Sequence, residues 1–157
     1  MGRDKAFLPI DGEPLAVRTA RILEEAGCHP VTLVGRQSGL RALGWSVLTE
    51  PDGTHHPLRG VAAALAISSG PLVLFAPCDL PCLTPTAVRL LLEAGQPCIA
   101  ADQPLLCVLS PEAASHAAHH ASAGGSVYAF MAGLPQIALP PQVLLNANTP
   151  EELARFR

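Results

Sequence analysis

Short runs of β-forming residues alternate with helix-length stretches along the whole chain, and this alternation leaves few architectures open. A strand that is apolar along its length needs cover on both faces, and helices placed between successive strands supply it. Leu72-Val73-Leu74-Phe75 is the clearest such run, continuous and ended by Pro77. Val31 to Val34, Ser46 to Leu48, Cys98 to Ala101 and Leu105 to Leu109 read as further strands. Between them, Pro14 to Ala26 carries Leu15, Ile22 and Ala26 at helical spacing, with Arg18, Arg21, Glu24 and Glu25 turned away and Gly27 as the stop. Gly39 to Leu43 is a short helix at best, and Gly60 to Ser69 an alanine-rich one. Thr84-Pro85 opens a helix that Gly95 closes, by an N-cap hydroxyl and a proline in the first turn. Ser110-Pro111-Glu112 starts another to about Ala121, Ser126 to Ala132 forms a short one, and Thr149-Pro150-Glu151-Glu152 is a capping box. The expected fold is α/β, a Rossmann-like three-layer domain with a mostly parallel sheet. No repeat, linker or low-complexity tract interrupts it, so residues 1–157 read as one domain.

Composition narrows the function classes. Hydrophobic residues make up 49% of the 157, so the chain should fold rather than stay disordered. The net charge of −3 and the lack of a basic block argue against a nucleic-acid partner. No apolar run approaches the ~18 residues that span a bilayer, and the start lacks a secretion signal, so no membrane role is expected. Five cysteines, mostly in apolar stretches, read as free thiols in a reducing cytoplasm. Cys78 and Cys82 could be two metal ligands, but no second closely spaced pair accompanies them.

A few residues could carry chemistry. Asp79, in Ala76-Pro77-Cys78-Asp79-Leu80-Pro81, follows the best strand. Ligands of open α/β sheets bind beyond such strand ends, where a carboxylate can hold Mg²⁺ against phosphate oxygens. It could equally bond loop amides or help cap the next helix. Lys5 precedes an apolar segment and the turn Asp11-Gly12; its amine could lie over a phosphate, although an ordinary exposed lysine is the plainer reading. Pro57-Leu58-Arg59-Gly60 leads into a helix whose N-terminus could face an anion or a base edge; a plain helix start is as good an account. Asn146 and Asn148 would share a face if extended, or form an Asn-rich turn. His116, His119 and His120 sit at helical spacing and read as a solvated or partly buried face.

Taken in order, these pieces resemble the molybdenum cofactor guanylyltransferases, or molybdopterin-guanine dinucleotide synthases. That family opens with Leu-Ala-Gly-Gly-x-Ser-x-Arg-Met-Gly-x-Asp-Lys, whose second half matches Met1, Gly2, Asp4 and Lys5. Its Gly-Pro-Leu-x-Gly corresponds to His56-Pro57-Leu58-Arg59-Gly60, and its Cys-Asp-x-Pro to Cys78-Asp79-Leu80-Pro81. Gln103-Pro104-Leu105, then Ser126, Phe130 and Leu134, then Asn146-Ala147-Asn148-Thr149-Pro150-Glu151-Glu152-Leu153 follow in register over essentially the whole chain.

The resemblance implies transfer of GMP from GTP to the molybdenum cofactor (molybdopterin), with release of pyrophosphate. Lys5 and Asp79 would be the catalytic residues. Lys5 would bind the nucleotide phosphates and Asp79 would hold Mg²⁺. Glu50, Pro57, Leu58 and Gly60 would line the nucleotide pocket, and Asn146 and Asn148 would lie near the pterin. Other cofactor-biosynthesis proteins would be partners.

Three departures accompany the resemblance. The family's first strand and Gly-Gly loop would precede Met1, which suggests an upstream start or a shortened chain. His56 stands where the family has glycine, and Glu50 where it has aspartate; either change could narrow the pocket or alter base preference. Cytidylyl or other nucleotidyl transfer to a small phosphorylated acceptor remains an alternative, as does a catalytically inactive binding domain.

Overall fold

The computed structural model describes residues 5–36, 38–53 and 55–156. Met1, Gly2, Arg3 and Asp4, part of the opening motif, lie outside the described residues. A 3-10 turn at Lys5–Phe7 leads into a hairpin of β1 (Pro9–Ile10) and β2 (Glu13–Pro14). Its turn residues Asp11 and Gly12 take φ of 50° and 82°, the hand that suits a two-residue hairpin. Helix α1 (Leu15–Glu25) follows without a side-chain cap; the Leu15 N–H instead donates to the Leu8 carbonyl at 3.0 Å. Strands β3 (Thr32–Gly35) and β4 (Ser46–Thr49) pair in parallel across a 3-10 segment at Ser38–Leu43.

Helix α2 spans Pro57–Ile67, three residues earlier than the alanine-rich stretch suggested, because His56 caps it and Pro57 fits its first position. Strand β5 (Val73–Phe75) leads through the Asp79 loop to α3 (Pro85–Glu93), where the Thr84 hydroxyl accepts from the Ala87 N–H at 3.2 Å. Strands β6 (Cys98–Ala100) and β7 (Gln103–Leu109) come next, then α4 (Ala114–Ser122) and α5 (Val127–Met131). Strand β8 (Gln136–Ile137), which the sequence did not announce, and α6 (Pro150–Leu153) complete the order.

The α/β layering is as expected, but the sheet is mixed rather than mostly parallel. Its four strands run β5-β7-β6-β8, with β7 antiparallel to both neighbours and β8 parallel to β6. The cause is local. Ala101 and Asp102 alone join β6 to β7, and a connection that short can only reverse the chain. Strand β7 is the centre of the molecule, and its period-two alternation feeds two cores. Leu106 and Val108 face Ile22, Leu83, Val88 and Leu91 from the α1 and α3 side. Cys107 and Leu109 face Leu58, Leu65, Ala117 and Phe130 from the α2, α4 and α5 side. A third, smaller cluster of Leu8, Ile10, Leu15, Ala147 and Leu153 joins the hairpin to the C-terminal turn. Among the described residues, no helix is long and apolar enough to cross a membrane.

Candidate functional site

The loop after β5 is held rigidly from several directions. Leu80 and Leu83 sink into the core, each 1% exposed, and the Leu83 N–H donates to the Leu80 carbonyl. The Arg18 Nε on α1 donates to the Pro81 carbonyl at 3.1 Å, and the Ala147 N–H donates to the Asp79 carbonyl at 2.9 Å. The Asp79 side chain is left facing the small cluster that joins the two ends of the chain. Lys5 Nζ lies 3.4 Å from Asp79 Oδ2 and also donates to Asn148 Oδ1. Three residues far apart in sequence thus meet around one ammonium.

The two carboxylate oxygens of Asp79 differ. Oδ2 has its cation. Oδ1 is buried and has no hydrogen-bond partner, the single such side-chain atom among the described residues. Leaving a carboxylate oxygen desolvated and unpartnered costs free energy, which a hard cation bound there would offset. The donor chemistry of Asp79 with Asn148 is all oxygen, which suits a divalent ion such as Mg²⁺.

Asn148 is placed by the C-terminal capping turn. Thr149 Oγ1 accepts from the Glu152 N–H at 3.2 Å, while Glu152 Oε2 accepts from the Asn148 N–H at 2.6 Å. The reciprocal arm of the capping box therefore grips the residue before the cap. Around it, exposure alternates: Asn146 and Asn148 are exposed and Ala147 is buried. Asn146 Oδ1 accepts from Gln103 Nε2, which also donates to the Leu144 carbonyl at 3.2 Å. Asn146 is engaged with Gln103 rather than with the Lys5 cluster.

The other nucleotide-binding candidates form a second group, at the carboxyl ends of β3 and β4. Glu50 is 9% exposed and forms an ion pair with Arg36 Nε at 2.9 Å. The same guanidinium donates to the carbonyls of Pro51 and Gly53 at 3.0 and 2.9 Å, tying down the loop ahead of α2. Leu58 is fully buried, and its side chain packs in the core on the α2, α4 and α5 side. Gly60 is needed for close packing, because a Cβ there would lie 2.9 Å from Val34 Cγ1. Pro57 is exposed. The first amides of α2 are already used: the Leu58 N–H donates to His56 Nδ1 at 3.2 Å and the Arg59 N–H to the His56 carbonyl at 3.0 Å. Sequence reasoning missed Arg36. The parallel register could have found it, since Gly35 pairs with Thr49 and the next residues, Arg36 and Glu50, are then neighbours.

A groove of about 330 Å³ lies elsewhere, between α2 and α4, lined by Pro51, Arg59 and small residues such as Ala62 and Ala118. Lys5, Asp79 and Asn148 do not line it. All five cysteines are free, and burial pushes the Cys28, Cys98 and Cys107 thiols up.

A family model described as the MobA-like NTP transferase domain matches residues 1–137. A protein named as a probable molybdenum cofactor guanylyltransferase of Synechococcus elongatus is 37% identical over 87 residues, covering 52% of this chain and 44% of that protein. The matched stretch thus spans less than half the length of that relative. The molybdenum cofactor guanylyltransferase of Shewanella amazonensis is 26% identical over 99% of this chain and 87% of its own.

Solved structures share the fold. A protein of Aquifex aeolicus superposes with a TM-score of 0.80 at 20% identity, over 95% of this chain and 86% of that one. The molybdopterin-guanine dinucleotide biosynthesis protein A of Archaeoglobus fulgidus gives 0.71 at 20%, over 99% and 91%. A Mycobacterium tuberculosis protein solved as a manganese complex gives 0.69 at 20%, over 98% and 91%.

Proposed function

The chain belongs to the MobA-like NTP transferase domain family, and from that premise we propose that it transfers GMP from GTP to the molybdenum cofactor. The terminal phosphate of the molybdopterin acceptor attacks the α-phosphorus of GTP. The new phosphoanhydride forms as the bond to the β-phosphate oxygen breaks, and pyrophosphate leaves. No residue of the chain becomes covalently attached.

The observation that carries this reading is Asp79 Oδ1, buried and unpartnered at the end of a sheet strand and beside the Lys5 ammonium. Asp79, with the Asn148 side-chain oxygen nearby, is the site that would hold Mg²⁺. A bound divalent ion there would neutralise charge on the phosphates. Lys5 supplies a second positive charge, on a four-carbon stem that reaches from Asp79 to a triphosphate. Charge neutralisation and alignment are the main demands of phosphoryl and nucleotidyl transfer. Glu50, held by Arg36, presents carboxylate character near the start of α2, where a guanine edge offers N–H donors. Pro57 and the α2 first turn flank the same place, and Asn146 and Asn148 would meet the pterin side.

Calorimetric titration of GTP and then CTP, each with Mg²⁺, followed by a guanylylation assay with molybdenum cofactor, tests the reading. GTP-selective binding and Mg²⁺-dependent pyrophosphate release are the expected results. Binding of CTP in preference to GTP would move the activity to cytidylyl transfer. Failure to bind either nucleotide would leave an inactive binding domain in its place.

A further inference from the structure

His56 departs from the glycine of the resembled family, and the structure gives its ring two partners. Nδ1 accepts from the Leu58 N–H at 3.2 Å, and Nε2 lies 2.8 Å from the Gly125 carbonyl oxygen. A carbonyl only accepts, so Nε2 carries the proton and Nδ1 is the bare nitrogen that an N-cap needs. One neutral tautomer satisfies both ends.

The far end of this bridge is itself held. Gly125 and Ser126 join α4 to α5, and their two consecutive carbonyls are each met by an imidazole. His56 takes Gly125, and His120 Nε2 lies 3.0 Å from the Ser126 carbonyl oxygen. His120 packs in turn against His116 and Phe130, with ring centroids 6.0 and 5.9 Å away. A Cβ on Gly125 would lie 2.3 Å from His120 Nε2, so the loop backbone presses close against that ring. The anchor for His56 is therefore a packed junction rather than a loose loop.

We propose that His56 is a positioning residue for the nucleotide, acting through its bond to Gly125. This inference rests on the reading of Pro57–Gly60 as part of the nucleotide pocket. Ahead of His56, Arg36 holds the Pro51 and Gly53 carbonyls and Arg59 holds the Asp52 carbonyl, so His56 is the last anchored residue before Pro57 and the one that ties this turn to the α4–α5 junction. A side chain fastened to the α4–α5 junction sets where Pro57 stands and how the first turn of α2 meets a ligand. The family's glycine has no side chain to make such a bond, so here the pocket is held by this chain's own substitution.

The two ends of the ring can be separated. His56→Asn places an amide oxygen near Nδ1, so it keeps the cap and loses the reach to Gly125. His56→Gln extends its amide nitrogen toward Nε2, so it keeps the donor to Gly125 and weakens the cap. GTP with Mg²⁺, and separately CTP with Mg²⁺, are titrated by calorimetry into the full native chain and both variants. Circular dichroism checks that each is folded. The positioning role predicts that Asn weakens nucleotide binding about three- to tenfold, the size of one net hydrogen bond, while Gln stays near native. In the guanylylation assay the Asn loss falls on KM for the nucleotide rather than on kcat. A residue that serves only as a helix cap predicts the reverse order, with Asn native-like and Gln weakened, and that result would overturn the proposal alone. Equal affinities for all three chains would overturn it too. Absence of binding to the native chain would overturn the transferase reading and this proposal together.

Discussion

Replacing Lys5 with methionine removes the ammonium that lies 3.4 Å from Asp79 Oδ2 and keeps a stem of similar reach. In the nucleotide-free chain that ammonium occupies the neighbourhood a divalent ion would need. Two unit charges at such a separation attract by about 5 kcal/mol at an effective dielectric of ~20. Lys5 is 43% exposed, however, and solvent screening brings the pair down to about 1 kcal/mol or less, the range of surface ion pairs. An ion arriving without nucleotide must displace Lys5 against that attraction. Lys5→Met should therefore raise the affinity of the free chain for Mn²⁺ by up to about fivefold, since ~1.4 kcal/mol corresponds to tenfold. Affinity for Mg²⁺-GTP should move the other way, because no side-chain charge then offsets the triphosphate. Paramagnetic resonance titration of Mn²⁺ alone, paired with calorimetry of Mg²⁺-GTP, reads both. If Mn²⁺ binding is unchanged or weakened, Lys5 is not competing for the cation position and the argument from the ion pair fails.

Leu106 is fully buried at the centre of the sheet, so Leu106→Ala should cost about 2–5 kcal/mol of stability. The urea midpoint should fall with little change in slope, and a loss under about 1 kcal/mol would contradict the placement of β7 as the central strand. The Arg21 guanidinium donates to both oxygens of Glu13 and holds that carboxyl below the usual carboxylate range. A depressed folded value gives stability that is present above the unfolded pKa and lost as pH falls through the folded one. Both side chains are partly exposed, so solvent screens the pair and Arg21→Ala should cost at most about 1 kcal/mol at neutral pH. That cost should shrink once the medium is acid enough to protonate Glu13 in the native chain; thermal unfolding at the two pH values checks it, and an unchanged cost in acid would refute the pairing.

Much of the layering was legible because it rests on local signals. Thr84-Pro85 begins a helix wherever it occurs before an apolar repeat, and the run through Leu105 to Leu109 needs cover on both faces. Strand β8 was not legible. Two residues have no periodicity, and Gln136 and Ile137 become a strand only by lying parallel to Ile99 and Ala100. The mixed sheet was missed for a related reason: the two-residue link at Ala101 and Asp102 decides direction, and its tightness depends on where β6 and β7 end. At the site, Asp79 stood out by its position after the clearest strand. Its meeting with Lys5 and Asn148 could not be read from spacing, because they lie 74 and 143 residues from Lys5 and only tertiary packing brings them together. Leu58 marks a different limit. A motif match cannot say which atoms of a residue face the ligand, and this side chain faces the core.

The cluster around Lys5 closes between residues near opposite ends of the sequence. Lys5 leaves the ribosome 143 positions ahead of Asn148. At the usual pace of ~5–20 residues per second, roughly seven to thirty seconds separate their synthesis. The buried residues of the β7-centred cores run on to Val143, so the cores and the site are completed within about a second of each other at that pace. Until then, Asp79 lacks the Ala147 amide that fixes its carbonyl. A nascent chain therefore completes its scaffold and its reaction centre almost together, and premature release would leave both unfinished.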